Sequence, residues 1–99
     1  MISQVHVYIK GDVIGVGFRA WTKIQAKIYG VKGWVRNVFD KEHIFDSNGG
    51  VEAVLQAEQE KIDKMITLLK KRPPISRVEE VEVIQQEVTD DFKDFELRK

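Results

Sequence analysis

The sequence contains no cysteine, which excludes disulfides, zinc–thiolate centres and a thiol nucleophile together. It has no surplus charge of either sign, since 16 Lys and Arg balance 16 Asp and Glu. A general nucleic-acid binder carries a basic excess to neutralise phosphates, so nucleic acid is not an expected partner. Net charge leaves a local basic site open. No apolar run approaches the roughly 18 residues that a bilayer-spanning helix requires, so no membrane partner is expected. Met1-Ile2-Ser3-Gln4 runs straight into an alternating segment, without the basic-then-apolar pattern of a secretory signal, and the expected location is cytoplasmic. Only two histidines occur, His6 and His43, and neither stands at ligand spacing with another histidine or a carboxylate pair. No metal site is expected.

What remains is a chain of 99 residues, 42% hydrophobic and 32% charged, the size of one domain spanning 1–99 with a modest core. From Gln4 to Lys10 the pattern alternates, with Val5, Val7 and Ile9 pointing one way and His6, Tyr8 and Lys10 the other, as in a half-buried strand. After Phe18 the period changes. Trp21, Ile24 and Ile28, with Ala20 beside them, predict one apolar helical face up to Tyr29, and Gly30-Val31 predicts a glycine stop with its hydrophobic partner. Val31–Asn37 and Val51–Ala57 read as the second and third strands. Ile62, Met65, Ile66 and Leu69 predict a second helix, beginning near Glu58 and stopping before Pro73-Pro74. Arg77–Gln86 reads as a fourth strand with Val81 and Val83 on one face, and Phe92–Arg98 as the place for a short fifth. The acidic group Glu79, Glu80 and Glu82 fits the solvated side of a sheet edge. The order β-α-β-β-α-β, with two helices on one face of an antiparallel four-stranded sheet, is a ferredoxin-like α+β sandwich.

The turn between the first strand and first helix is the segment richest in chemistry. Gly15 and Gly17 permit positive φ and close approach of a ligand to the backbone. Successive amides in such a turn can form an anion nest, the following helix adds its free N–H groups, and Arg19 offers a planar fork that matches phosphate oxygens. Gly15, Val16, Gly17, Phe18 and Arg19 are therefore the candidate phosphate loop. It lacks the Gly-Lys-Ser/Thr ending of a nucleotide P-loop, and position 20, where a dinucleotide fingerprint has its third glycine, is alanine. A small phosphorylated group fits better than a nucleotide. The plainer reading, a glycine turn followed by a solvated arginine, stays open on spacing alone. Asn37, after a strand, likewise reads on its own as a turn former.

The stretch Ile9-Lys10-Gly11-Asp12-Val13-Ile14-Gly15-Val16-Gly17-Phe18-Arg19 resembles the first signature of the acylphosphatase family, with Ile14 where that family usually has glutamine. Gly33-Trp34-Val35-Arg36-Asn37 resembles the start of its second signature, and Gly49-Gly50-Val51 the later Gly-x-Val. Pro73-Pro74 with Arg77-Val78, and Phe95-Glu96-Leu97, are similar to further family features. The resemblance implies hydrolysis of acyl phosphates with no metal or cofactor, the substrate being a small-molecule acyl phosphate and inorganic phosphate or sulfate a ligand of the same site. It implies that Arg19 and Asn37 are catalytic, Arg19 binding the phosphoryl group and Asn37 orienting water. The alternative from another class is a catalytically weak phosphate-binding or self-associating module. An RNA-binding reading would want exposed aromatics on the central strands, where Tyr8 alone is clearly available; Trp21 and Trp34 read as core or core rim.

The sequence departs from the family pattern at Ile14 and between Asn37 and Gly49, where the eleven residues Val38 to Asn48 replace a shorter connection. A lengthened surface loop costs little, because closure entropy grows slowly with length. The other readings are a lid or partner contact through Phe39, Ile44 and Phe45, or exchange of the segment between two chains. A monomer is expected, with a dimer by exchange of 38–48 as the alternative.

Overall fold

The structure, a computed structural model, describes residues 1–15, 17–39, 49–71 and 77–98, with the Arg77 side chain left aside. Val16, most of the 38–48 segment with His43, Ile44 and Phe45, and Pro73-Pro74 lie outside the described residues. The elements are β1 (Ile2–Asp12), α1 (Phe18–Tyr29), β2 (Lys32–Val38), β3 (Gly50–Glu58), α2 (Gln59–Lys71), β4 (Arg77–Gln86) and β5 (Phe95–Leu97). They form one sheet in the order β4-β1-β3-β2-β5. The first four strands pair antiparallel as expected, and β5 makes the sheet mixed by lying parallel to β2. Its direction follows from the route of the chain. β4 and β5 occupy opposite edges, so the intervening segment must cross the whole sheet, and Gln56 Nε2 donates to the Asp90 carbonyl at 2.7 Å along that crossing.

The alternation of β1 sets the core. Val5, Val7 and Ile9 are fully buried and pair with Leu55, Ala53 and Val51, which point to the same face. Val35 continues the row in β2, and Phe95, 1% exposed, closes it in β5. Ile62, Met65 and Leu69 of α2 pack on this face, as their spacing predicts, with Ile66 partly buried beside them. Among the described residues no helix is long and apolar enough to cross a membrane.

The expected face of α1 is corrected. Phe18, Thr22 and Ala26 are its buried residues, whereas Ile24 and Ile28 are 57% and 67% exposed. The helix is turned by roughly a third of a turn from the face that its isoleucines mark. Phe18 is the reason. As the first helical residue it is anchored in the core below the loop, which fixes the rotation of everything after it. Thr22 can follow it inward because its hydroxyl donates to the Phe18 carbonyl at 2.8 Å, leaving only methyl and methine surface to bury. Trp21 is shared by both faces and packs on Phe18 at 5.7 Å between ring centroids. The helix stop is as expected: Gly30 is left-handed (φ 72°), and the Val31 amide donates to the Ala26 carbonyl at 2.8 Å.

Among the described residues no helix covers the other sheet face, yet β3 is buried along it. Gln86, Gln4 and Gln56 form a side-chain ladder across β4, β1 and β3 with links of 3.1 and 3.0 Å. Trp34 lies on this face rather than in the core, alongside Tyr8 and His6. Glu80 and Glu82 are exposed on β4 as expected, and pair with Lys10 at 3.3 and 3.9 Å.

Candidate active site

β1 and β2 end at the same side of the sheet, and α1 begins there. The connecting loop carries Gly15 and Gly17, both left-handed with φ of 78° and 79°. That backbone, not lack of space, requires glycine: a Cβ added at either would meet no atom within 4 Å. Gly17 caps α1 without a side-chain hydrogen bond, and the first internal bond of the helix runs from the Trp21 amide to the Gly17 carbonyl at 3.0 Å. The first-turn amides of Phe18, Arg19 and Ala20 thus receive no side-chain cap, and no acidic residue stands near them in that turn. Free first-turn amides carry a partial positive charge that suits an anion.

A concavity of about 130 Å³ lies there, lined by Val13, Gly15, Gly17, Phe18, Arg19, Ala20, Asn37 and Leu97. Four of the five proposed loop residues and both proposed catalytic residues meet at it; Val16 is the one outside the described residues. The volume suits an anion of a few heavy atoms, well below the 300–1,000 Å³ of pockets for drug-sized ligands. Larger hollows of about 400 Å³ and 440 Å³ lie beside the 87–94 crossing. The first is lined by Lys32 and Lys61 but also by Glu58, Asp90 and Asp91, which offset the cations, and the second has no Lys or Arg in its lining.

Arg19 is half-buried, and its Nη1 donates to the Arg98 carbonyl at 2.9 Å. One of its five N–H donors is spent on this tether, and the rest of the fork remains for an anion. The tether is itself anchored, because the Arg98 amide donates to the Val35 carbonyl at 2.8 Å. Nothing in the sequence marked that carbonyl, since any residue could supply it.

Asn37 is not the turn residue its local sequence suggests. It lies inside β2, opposite Val51, on the core face of the sheet. Its Oδ1 is buried and, among the described residues, accepts no hydrogen bond. A polar acceptor placed in a core row without a partner is costly, by about 1–3 kcal/mol. Residues with that cost are concentrated where a ligand or reaction uses them.

Immediately behind Asn37, on the opposite face, Arg36 pairs across the strands with Glu52. Glu52 is only 1% exposed. Its carboxylate accepts from Arg36 Nε at 2.6 Å and meets His6 Nε2 at 2.7 Å. Burial pushes its pKa up, but the hydrogen bonds and charges of Arg36 and His6 outweigh it and leave the group below its ordinary value. His6 therefore has a carboxylate partner, Glu52, and does not line the concavity. Among the described residues no group of three or more His, Asp or Glu side chains is placed to hold a metal ion.

Residues 5–97 match the family model described as Acylphosphatase. The chain belongs to the acylphosphatase family. A relative from Pyrobaculum islandicum named acylphosphatase is 45% identical over 94 residues, covering 95% of this chain and 92% of its own. Another, from Syntrophobacter fumaroxidans, is 40% identical over 95% of this chain and 89% of its own. Among solved structures, an acylphosphatase from Coxiella burnetii superposes with a TM-score of 0.84 at 31% identity, over 98% of this chain and 93% of that one. The acylphosphatase match thus runs through both ends of the concavity, from the β1–α1 loop to β5.

Proposed function

We propose that this acylphosphatase hydrolyses carboxyl-phosphate anhydrides at the concavity between the β1–α1 loop and Asn37. The observation that carries the assignment is the meeting of Arg19, the glycine loop and Asn37 at one small concavity, Asn37 holding there a buried acceptor that no described residue satisfies. In this reading the loop amides and the Arg19 guanidinium hold the phosphoryl oxygens, and the Asn37 side-chain amide orients the attacking water. Water oxygen bonds to phosphorus as the bond from phosphorus to the acyl oxygen breaks. The carboxylate departs with that electron pair, and the water proton passes to a phosphoryl oxygen, giving inorganic phosphate. A carboxylate is a good leaving group, so the step needs little acid catalysis. Phosphoryl transfer depends mainly on positioning and on charge placed against the equatorial oxygens.

Purified protein assayed with acetyl phosphate in the presence of EDTA tests this. Undiminished turnover, inhibited competitively by inorganic phosphate, is expected. No hydrolysis above the spontaneous rate would overturn the assignment.

A further inference from the structure

The carbonyl that holds Arg19 belongs to a residue whose side chain is held on the other face of the sheet. The Arg98 guanidinium lies 4.9 Å from the centre of the Trp34 ring. Arg36 lies 5.5 Å from the same ring, and is itself fixed by Glu52. We propose that Trp34 and the Arg98 side chain are positioning residues for Arg19, acting across the sheet through the Arg98 backbone. The proposal rests on Arg19 being the phosphate-binding arginine.

The need for such a device follows from where Arg98 sits. It comes directly after β5, a strand of only three residues on the outer edge of the sheet. A short edge strand holds the residue that follows it weakly, because few backbone bonds fix it. One backbone bond, from the Arg98 amide to Val35, holds the residue on the β2 side. A second tether through its side chain restrains rotation about the backbone, and rotation would swing the carbonyl away from Arg19. Trp34 supplies a broad, fixed aromatic face for that tether, because β2 is bonded on both sides. Glu96, directly opposite Trp34 in the register, accepts a hydrogen bond from Arg98 Nε at 3.2 Å and so adds a second restraint on the guanidinium. The parity of the strand makes the arrangement work: Leu97 points into the concavity, so the next side chain must point to the opposite face.

Acetyl phosphate kinetics with Arg98→Ala, Trp34→Leu and Trp34→Phe test the proposal. A partly exposed cation–aromatic contact predicts that Arg98→Ala lowers kcat/KM about threefold, and weakens inhibition by inorganic phosphate about as much. Trp34→Leu gives the same loss, and Trp34→Phe, which keeps an aromatic face, restores most of it. The decisive comparison is Arg98→Ala in an Arg19→Ala background, where no further loss is expected because the group being positioned is gone. An undiminished threefold loss in that background overturns the proposal, as does wild-type behaviour of Arg98→Ala. Because Arg98→Ala alters an exposed side chain, it keeps the test usable even if Trp34→Leu fails to fold. Should Arg19→Ala alone prove fully active, the underlying assignment of Arg19 fails, a result distinct from either.

Discussion

On the proposed mechanism, Asn37 puts function and stability in conflict at a single side chain. Its strand register assigns it to a core row between Val35 and the sheet's end, where valine would satisfy every packing demand. Asn37→Val should therefore raise the urea midpoint by the equivalent of about 1 kcal/mol, by removing a buried acceptor that no described residue satisfies. The same change should lower kcat about a hundredfold, the scale of effect that follows from losing orientation of a reactant. Inorganic phosphate should still bind, because Arg19 and the loop are untouched. A variant that was both less stable and fully active would contradict the water-orienting role. Sequence alone could not show this tension. Asparagine at the end of a hydrophobic run reads on its own as a turn former, and the pairing with Val51 shows that the strand runs on through it. Arg19 was legible from its position at a helix start after two glycines. Its tether to Arg98 was not, since a backbone carbonyl has no residue-type signature.

Elements were legible where one period dominated. β1 and α2 follow their apolar spacing closely, and β4 has the bounds that its pattern gives. α1 did not, because its sequence holds two apolar stripes, and the one that includes the isoleucines faces solvent. Helical periodicity identifies the candidate faces, but the docking of Phe18 decides between them. The β2–β3 pair hid its main electrostatic feature for a similar reason: Glu52 occupies an open-face position that alternation marks as exposed, and its neighbours cover it. The Glu52 pKa lies below the unfolded value of 4.5, so the unfolded chain binds more protons in acid. This contribution to stability is complete above that value and is lost as pH falls through the lower folded pKa. Asp91 beside Lys93 and Asp94 accepting from the Phe95 amide are also lowered, so the informative quantity is a difference between proteins. Urea midpoints measured from pH 7 down to pH 3 should fall less steeply for Glu52→Gln than for the wild type. Equal slopes would contradict the assignment of the acid-labile clamp to Glu52. At neutral pH Glu52→Gln should be the less stable protein, because Arg36 keeps its charge and loses its carboxylate partner.

At the scale of the molecule, the fold gathers at one end of the sheet groups that the chain keeps far apart: the loop at 15–19, Asn37 and the end of β5. The antiparallel order β4-β1-β3-β2 turns β1 and β2 in the same direction, which places the loop after β1 level with the end of β2. The crossing after β4 then delivers β5 parallel to β2, so its C-terminal end arrives at the same place. The order of elements was readable from the sequence, and with it the meeting of the first two groups. The third depended on the strand direction of a three-residue element, which no local pattern records. The central claim is that this end of the sheet captures one tetrahedral oxyanion. Titration of inorganic phosphate into the wild type and Arg19→Ala, followed by backbone amide NMR, tests it most directly. The account predicts saturable shifts confined to the amides of Gly15 to Ala20 and their neighbours around Asn37, with affinity at least about tenfold weaker in Arg19→Ala, the scale of a charged hydrogen bond. Shifts centred elsewhere on the molecule, or equal affinity in the two proteins, would contradict it.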